Sequence, residues 1–229
     1  MCGRFALFNM DGFCELFDFC ELSGVYNPLP EVNLSYNISP GTEIPVVCDG
    51  NENGIVFANW GIRRKSSFFN DFKENLVVNV RDDTLKEVRF FRDGLEKHRC
   101  AIPANGFYEW NKTGKIKVPF FVRTTDQPIF AFAGVYEPAG DNSFYCSIIT
   151  TSSNEKIKDV HDRMPVILAR EDVSGWIKKE NDDEYCLSLL SPYPAEKTVY
   201  DVVGSEVNST SGDGPSLIKP AYGGGLGLL

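Results

Sequence analysis

The stretch CAIPANGFYEWNKTGKIKVPFFVRTTDQPIFAFAGVYEPAGDNSFYCSIIT, residues 100–150, decides the fold class. It breaks into short apolar, β-branched and aromatic runs at Ala101–Ile102, Phe107–Trp110, Val118–Arg123, Ile129–Tyr136 and Phe144–Thr150. Gly and Asn punctuate the runs at hairpin spacing, which predicts antiparallel strands joined by turns. Upstream, Ile44–Val47 and Ile55–Trp60 read as two more strands across the turn at 50–54, and Leu76–Val80 as a short β-branched one. Helical spacing is seen at Asp11–Phe19, where Phe13, Leu16 and Phe17 recur on one face. A second helix is expected from a Thr84 cap to about His98, with Leu85, Val88, Phe91 and Leu95 toward the core. Ser153–Val160 and Glu171–Lys179 read as helices, and Val25–Thr42 as an extended loop. Strands outnumber helices without βα alternation, so the chain is predicted to be a single α+β domain with mainly antiparallel sheet. No composition break marks a second domain; the expected bounds are 1–220, with a flexible Gly/Leu tail over 221–229.

The 229 residues are 42% hydrophobic and 24% charged, ordinary globular usage that excludes a disordered, collagen-like or coiled-coil chain. Apolar runs are too short to span a bilayer, and Met1-Cys2-Gly3-Arg4 lacks the charged-then-apolar order of a secretory signal. Seven scattered cysteines without a C-x-x-C pair, and two histidines, argue against a disulfide scaffold or a zinc finger. Free thiols suit a reducing compartment, so a cytoplasmic protein without metal or cofactor is expected, nucleoid-associated if bacterial. The formal net charge of −9 by itself speaks against nucleic-acid binding, because phosphate affinity rests on Lys and Arg. The charge is uneven, however. Trp60–Cys100 holds ten Lys/Arg and seven Asp/Glu, whereas the remainder holds 13 basic and 25 acidic residues. A solvated helix face accounts for Lys86–Arg99 taken alone.

Four places could carry chemistry. Removal of the initiator Met would leave Cys2 with a free α-amine of pKa about 7.7–8.0 beside a thiol of about 8.5. Such a 1,2-aminothiol condenses with an aldehyde to an imine, and the sulfur then closes a thiazolidine ring; an internal cysteine cannot do this. For most proteins position 2 is simply a frayed terminus. In Asn105-Gly106-Phe107-Tyr108-Glu109-Trp110, strand alternation sets Glu109 on the face opposite Tyr108 and Trp110. If that face is enclosed, burial raises the Glu109 pKa and makes it a proton donor; a solvent-facing Glu is the commoner case. His161, in Val160-His161-Asp162-Arg163-Met164-Pro165, is a loop histidine near the physiological titration range. Asn79 and Arg81 share one face of a strand, where they could hold a phosphate or simply face water.

These segments occur together, in this order, in one family. MCGRFAL at 1–7, YNISPGTEIPVV at 36–47, NWGI at 59–62, VNVRDDT at 78–84, FRDGLEKHRCAIPANGFYEW at 91–110, FAGVYE at 132–137 and SIITTSSNEKIKDVHDRMPVIL at 147–168 resemble the SRAP (SOS-response-associated peptidase) family. The resemblance runs almost to the end, through GDGPSLIKP at 212–220. It implies a compact α+β domain built around barrel-like β-sheets that processes abasic sites in single-stranded DNA, acting as a monomer without metal. It implies Cys2 as the nucleophile that forms a thiazolidine with the ring-opened abasic sugar, Glu109 as the catalytic carboxylate and His161 as a second acid/base. Asn79 and Arg81 match residues that hold the lesion and its flanking phosphates, Arg4 and Arg163 match further backbone contacts, and Trp110 belongs with the DNA-binding set. The usual N-A-R-x-E-T reads Asn79-Val80-Arg81-Asp82-Asp83-Thr84 here; Phe68 and Phe69 stand in a region that is Trp-bearing in the family and could stack on a base. The Arg of a V-N-x-x-R near the tail is Ser211. The DNA path is expected over the basic stretch containing Arg63, Arg64, Lys65 and Arg81.

Three other readings compete. M-C-G also opens glutamine amidotransferases with an N-terminal Cys nucleophile, but their R-G-P-D and N-G-E motifs do not follow. The family's peptidase role could amount to removal of Met1 from the chain itself. A non-catalytic single-strand-binding module would have no reason to keep Cys2, Glu109 and His161 together.

Overall fold

The computed structural model describes residues 2–17, 31–49, 54–65, 74–111, 117–139 and 143–221. Phe68, Phe69, most of the turn at 50–54 and nearly all of the Gly/Leu tail lie outside the described residues. The strands are β1 (Arg4–Leu7), β2 (Ser35–Ile38), β3 (Glu43–Cys48), β4 (Ile55–Trp60), β5 (Ile62–Lys65), β6 (Glu74–Val77), β7 (Asn79–Arg81), β8 (Arg99–Ala104), β9 (Gly106–Asn111), β10 (Val118–Thr124), β11 (Phe130–Pro138), β12 (Phe144–Ser152), β13 (Arg163–Pro165), β14 (Ile167–Leu168) and β15 (Thr198–Val202). Among the described residues four short helices accompany them: α1 (Phe13–Leu16), α2 (Arg89–Lys97), α3 (Arg170–Ile177) and α4 (Asp183–Ser188).

Strands β12, β4, β3, β8 and β11 pair in that order, and β11 pairs back onto β12, closing a five-stranded barrel. Closure satisfies the strand edges internally. All but one of these pairings are antiparallel; β4 runs parallel to β12, with Trp60 opposite Cys146. β7 adds to β12 in parallel, with Asn79 opposite Ile148. A second sheet, in the order β15-β10-β9-β1-β2, packs on the barrel. Phe5 of β1 meets Trp60 at 5.1 Å and Phe132 at 5.8 Å, both edge to face, and Phe107 of β9 meets Phe132 at 6.1 Å. Each such ring pair contributes about 0.5–1.5 kcal/mol beyond the area it buries. The strand runs and the mainly antiparallel α+β fold thus agree with the sequence.

Alternation gives the second sheet two different faces. Phe5 and Phe107, directly opposite in register, point to the barrel. Ala6, Tyr108 and Phe121 point away and form a smaller core with Val203, Val207 and Leu217. The Ser/Gly/Asn-rich segment after Gly204 therefore carries ordered 3-10 turns at Ser205–Asn208 and Pro215–Ile218 that cover this outer face.

Four local expectations are corrected, the first being that the expected loop Val25–Thr42 contains strand β2 at Ser35–Ile38, paired with β1. The helix from Thr84 begins only at Arg89. Thr84 Oγ1 donates to the Arg81 carbonyl at 3.1 Å, inside a 3-10 turn, and so caps nothing further on. Leu85 and Leu95 are buried as expected, but Val88 is 44% exposed. Ser153–Val160 is a series of turns, not a helix. Leu76–Val80 is split at Val78 between two sheets, because the Val78 carbonyl accepts from Trp60 Nε1 at 3.0 Å and from the Ile148 amide at 3.1 Å. Strands β1, β2 and β15 come from segments with no strong alternation.

Gly106 opens β9 where only hydrogen fits. A β-carbon there would lie 2.2 Å from Phe121 Cζ and 2.9 Å from the Val122 carbonyl. Because Phe121 is itself buried, Gly106→Ala is expected to destabilise the protein by about 1–3 kcal/mol, lowering Tm by several degrees in a thermal melt. An unchanged melting curve would show that the Phe121 ring swings aside freely.

Candidate active site

Four segments distant in sequence meet where the second sheet joins the barrel. The antiparallel register of β1 on β9 sets Arg4 opposite Tyr108, so the residues before β1 run alongside Glu109. Cys2 is fully buried there; its Sγ donates to the Arg4 carbonyl at 3.7 Å. Asn79, the first residue of β7, donates through Nδ2 to the Cys2 carbonyl at 2.7 Å. The Asn79 Oδ1 is buried, with no hydrogen-bond partner among the described residues. Glu109 is 2% exposed and lies on the barrel-facing side of β9, opposite Tyr108 and Trp110, as alternation requires.

Burial pushes the Glu109 carboxyl above the ordinary carboxylate range, with the charge of a protonated His161 acting in the other direction. The Cys2 thiol is also pushed up, first by burial and then by Glu109. A carboxyl whose pKa is raised keeps its proton to higher pH and so can act as a proton donor, and a buried thiol that stays protonated is a poor first nucleophile.

His161 arrives on the turn between β12 and β13, with 8% of its side chain exposed. Two groups compete for its Nδ1: the Arg163 amide at 3.0 Å and the Asp162 carboxylate at 2.8 Å. The amide carries its hydrogen at every pH, so it sets Nδ1 as the acceptor and leaves the ring proton of neutral imidazole on Nε2. Asp162, 87% exposed, contributes charge more than a fixed bond.

The arginines are placed differently. Arg4 points to the outer face and is buried, with Nη1 donating to Asn37 Oδ1 at 2.5 Å and to the Val207 and Ser209 carbonyls at 2.9 and 3.4 Å. It ties β1 to the C-terminal segment. Arg163 is buried too, donating to Asp82 Oδ1 at 2.8 Å and to the carbonyl and hydroxyl of Thr150. Arg81 is half exposed and grips Asp83 with two bonds, at 3.0 and 2.5 Å. Trp110 sits half-buried on the outer face and donates to Asn208 Oδ1 at 2.7 Å. Arg63 lies over the Tyr145 ring at 5.6 Å, and Arg64 pairs with Glu137 at 3.0 Å. Among the described residues, no group of three or more His, Cys, Asp or Glu is arranged to hold a metal ion.

Two asparagines escaped the sequence reading. Asn105 accepts from the Phe8 and Asn9 amides at 2.7 and 3.0 Å and donates to the Asn9 and Pro128 carbonyls, clasping the end of β1 to the start of β9. Asn154 accepts from the Lys156 and Ile157 amides, each at 3.1 Å, and donates to the Tyr193 carbonyl at 2.6 Å and Thr198 Oγ1 at 3.0 Å. It shapes the turn that delivers His161. An Asn ahead of a short helix-like run is the local signal, since its side chain competes with helical bonding.

Residues 1–210 match the family model for SOS response associated peptidase (SRAP). Abasic site processing protein YoqW of Bacillus subtilis (strain 168) is 39% identical over 230 residues, covering 96% of this chain and 99% of that protein. Abasic site processing protein YedK of Escherichia coli (strain K12) is 29% identical over 230 residues, covering 96% and 100%. A crystal structure of a Bacteroides thetaiotaomicron protein has the same fold, with a TM-score of 0.76 at 22% identity over 96% of this chain and 100% of that one. The fold, the length of the family match and the identity to a full-length relative agree: the chain belongs to the SRAP family.

Proposed function

We propose that this protein processes abasic sites in single-stranded DNA by capturing the ring-opened sugar aldehyde covalently on Cys2. The observation that carries the reading is the convergence of Cys2, Asn79, Glu109 and His161 in one buried corner. Relatives named abasic site processing proteins support it.

Removal of Met1 exposes the Cys2 amine. Glu109 in its acid form protonates the sugar ring oxygen and takes the anomeric hydroxyl proton in exchange, so that the hemiacetal opens to the aldehyde and the carboxyl is restored. The amine adds to the aldehyde carbon, and the carbinolamine loses water, with a carboxyl proton leaving on the hydroxyl, to give an imine. The Cys2 sulfur then attacks the imine carbon; its proton passes to a neighbouring base and the imine nitrogen gains one. The product is a thiazolidine, one water lighter than protein plus DNA. Asn79 Oδ1, which has no hydrogen-bond partner among the described residues, would accept from the sugar or carbinolamine hydroxyl, and His161 would serve as the second acid/base group beside the lesion. A thiol held protonated favours this amine-first order over thiolate attack on an amide.

Incubation of the Met1-processed protein with an abasic oligonucleotide, followed by intact-mass measurement, should give a heat-resistant adduct at the summed mass minus one water. A mixture that stays unlinked, or an adduct without loss of water, contradicts the proposal.

Asn154→Ala is expected to slow capture roughly 10–100-fold, because a small displacement of a proton-transfer group is that damaging. Single-turnover crosslinking beside His161→Gln checks it; a wild-type rate would remove Asn154 from the placement of His161.

A further inference from the structure

Arg81 stands two residues from Asn79 on β7 with its side chain half exposed, and it is already occupied. Arg81 Nε and Nη2 hold the two carboxylate oxygens of Asp83 at 3.0 and 2.5 Å, the fork geometry that a phosphodiester would also satisfy. The pair is solvated, with side chains 54% and 50% exposed, so the carboxylate can be displaced. The second cation, Arg163, is engaged by Asp82 at 2.8 Å and lies 3.7 Å from Asp83. Asp162 adds a further exposed negative charge that Arg81 feels. Around these two arginines, then, three carboxylates surround two guanidinium groups.

We propose that Asp83 is a specificity-determining residue that competes with phosphate for Arg81 and so suppresses binding to intact single strands. This rests on the abasic-site reading above. An incoming phosphodiester carries one charge, as Asp83 does, so the exchange at the guanidinium gains little. The displaced Asp83 then stays beside the phosphate and repels it. An undamaged strand has nothing to offset that repulsion. An abasic strand has the covalent bond to Cys2, which holds it however weak the phosphate contact is. The short Asp side chain suits the device. It begins two residues from Arg81 on the 3-10 turn Asp82–Thr84, which keeps the carboxylate beside the guanidinium.

Fluorescence anisotropy of an undamaged labelled single strand tests this with wild type, Asp83→Asn, Arg81→Ala and the double variant. Asp83 is half exposed, so its Asn variant should fold, and a thermal melt checks it. Asp83→Asn should bind about three- to tenfold more tightly at low salt, the scale of one unit charge a few ångström from a phosphate near the surface. Its log–log salt slope should steepen by up to about 0.7, one phosphate's worth. The gain should vanish when Arg81 is Ala. Equal or weaker binding by Asp83→Asn would mean that Asp83 merely positions Arg81 and would overturn the proposal. A gain that persists in full without Arg81 would overturn it too, since general charge would then explain it. Adduct formation by wild type on an abasic strand is scored separately. Loss of that signal would strike the abasic-site reading, while the undamaged-strand comparison still decides the role of Asp83.

Discussion

Cys2→Ser is expected to lose the heat-stable DNA adduct by about 10²-fold or more while keeping a borohydride-reducible one. The serine amine still forms the imine, but the hydroxyl closes a far less stable ring, and the imine hydrolyses on heating. Ring closure by a neighbouring thiol has the advantage of intramolecular reactions, whose effective molarities reach ~10⁵ M and above. The substitution also buries a hydroxyl at a fully enclosed site, a desolvation of about 1–3 kcal/mol if unpartnered. A thermal melt separates that loss of stability from loss of chemistry. Equal amounts of untrapped adduct from Cys2→Ser and wild type would end the thiazolidine mechanism.

Glu109→Gln should slow adduct formation by roughly 10²–10⁴-fold, the usual contribution of a general acid–base group. The effect should depend on pH. Burial raises the Glu109 pKa, so the acid form persists above the ordinary carboxylate range and is lost as pH rises through the folded-state value. The Cys2 amine becomes reactive only as it deprotonates near about 7.7–8.0. The wild-type rate should therefore pass through a maximum, and the glutamine variant should keep only the rising limb set by the amine.

The same shift carries a stability consequence. With its folded pKa raised, Glu109 contributes its full stability below the unfolded pKa, and that contribution is lost as pH rises through the folded pKa. Glutamine has no charge to desolvate. The Tm of Glu109→Gln relative to wild type should thus increase as pH is raised from the acid side to neutrality. A constant difference would mean that Glu109 is not held protonated by burial, and a pH–rate profile of unchanged shape would reduce it to a packing role.

Some of this molecule was legible from local chemistry. Period-two alternation placed Glu109 away from Tyr108 and Trp110, and it does face the barrel while they face the C-terminal segment. The strand runs of 100–150 were readable because hairpin partners are neighbours in sequence, and turn residues mark each reversal. Thr84 and the Ser153–Val160 run, which contains Asn154, were misread for one common reason. A short polar side chain can end a helix, start one or replace one with turns, and which of these occurs depends on what else it can bond.

Strand periodicity, the face on which Glu109 stands and the capacity of a second-position cysteine to present an aminothiol were all readable from neighbouring residues alone. It took the packing of distant segments to bring Cys2, Asn79, Glu109 and His161 into one buried corner, to aim Arg4 at the Val207 and Ser209 carbonyls on the outer face, and to set Asp83 on Arg81. The reason is physical. Alternation and 1,2-aminothiol chemistry are properties of adjacent residues. Burial, charge pairing and pKa depend on which distant segments the barrel and its second sheet bring together, and no local pattern encodes that.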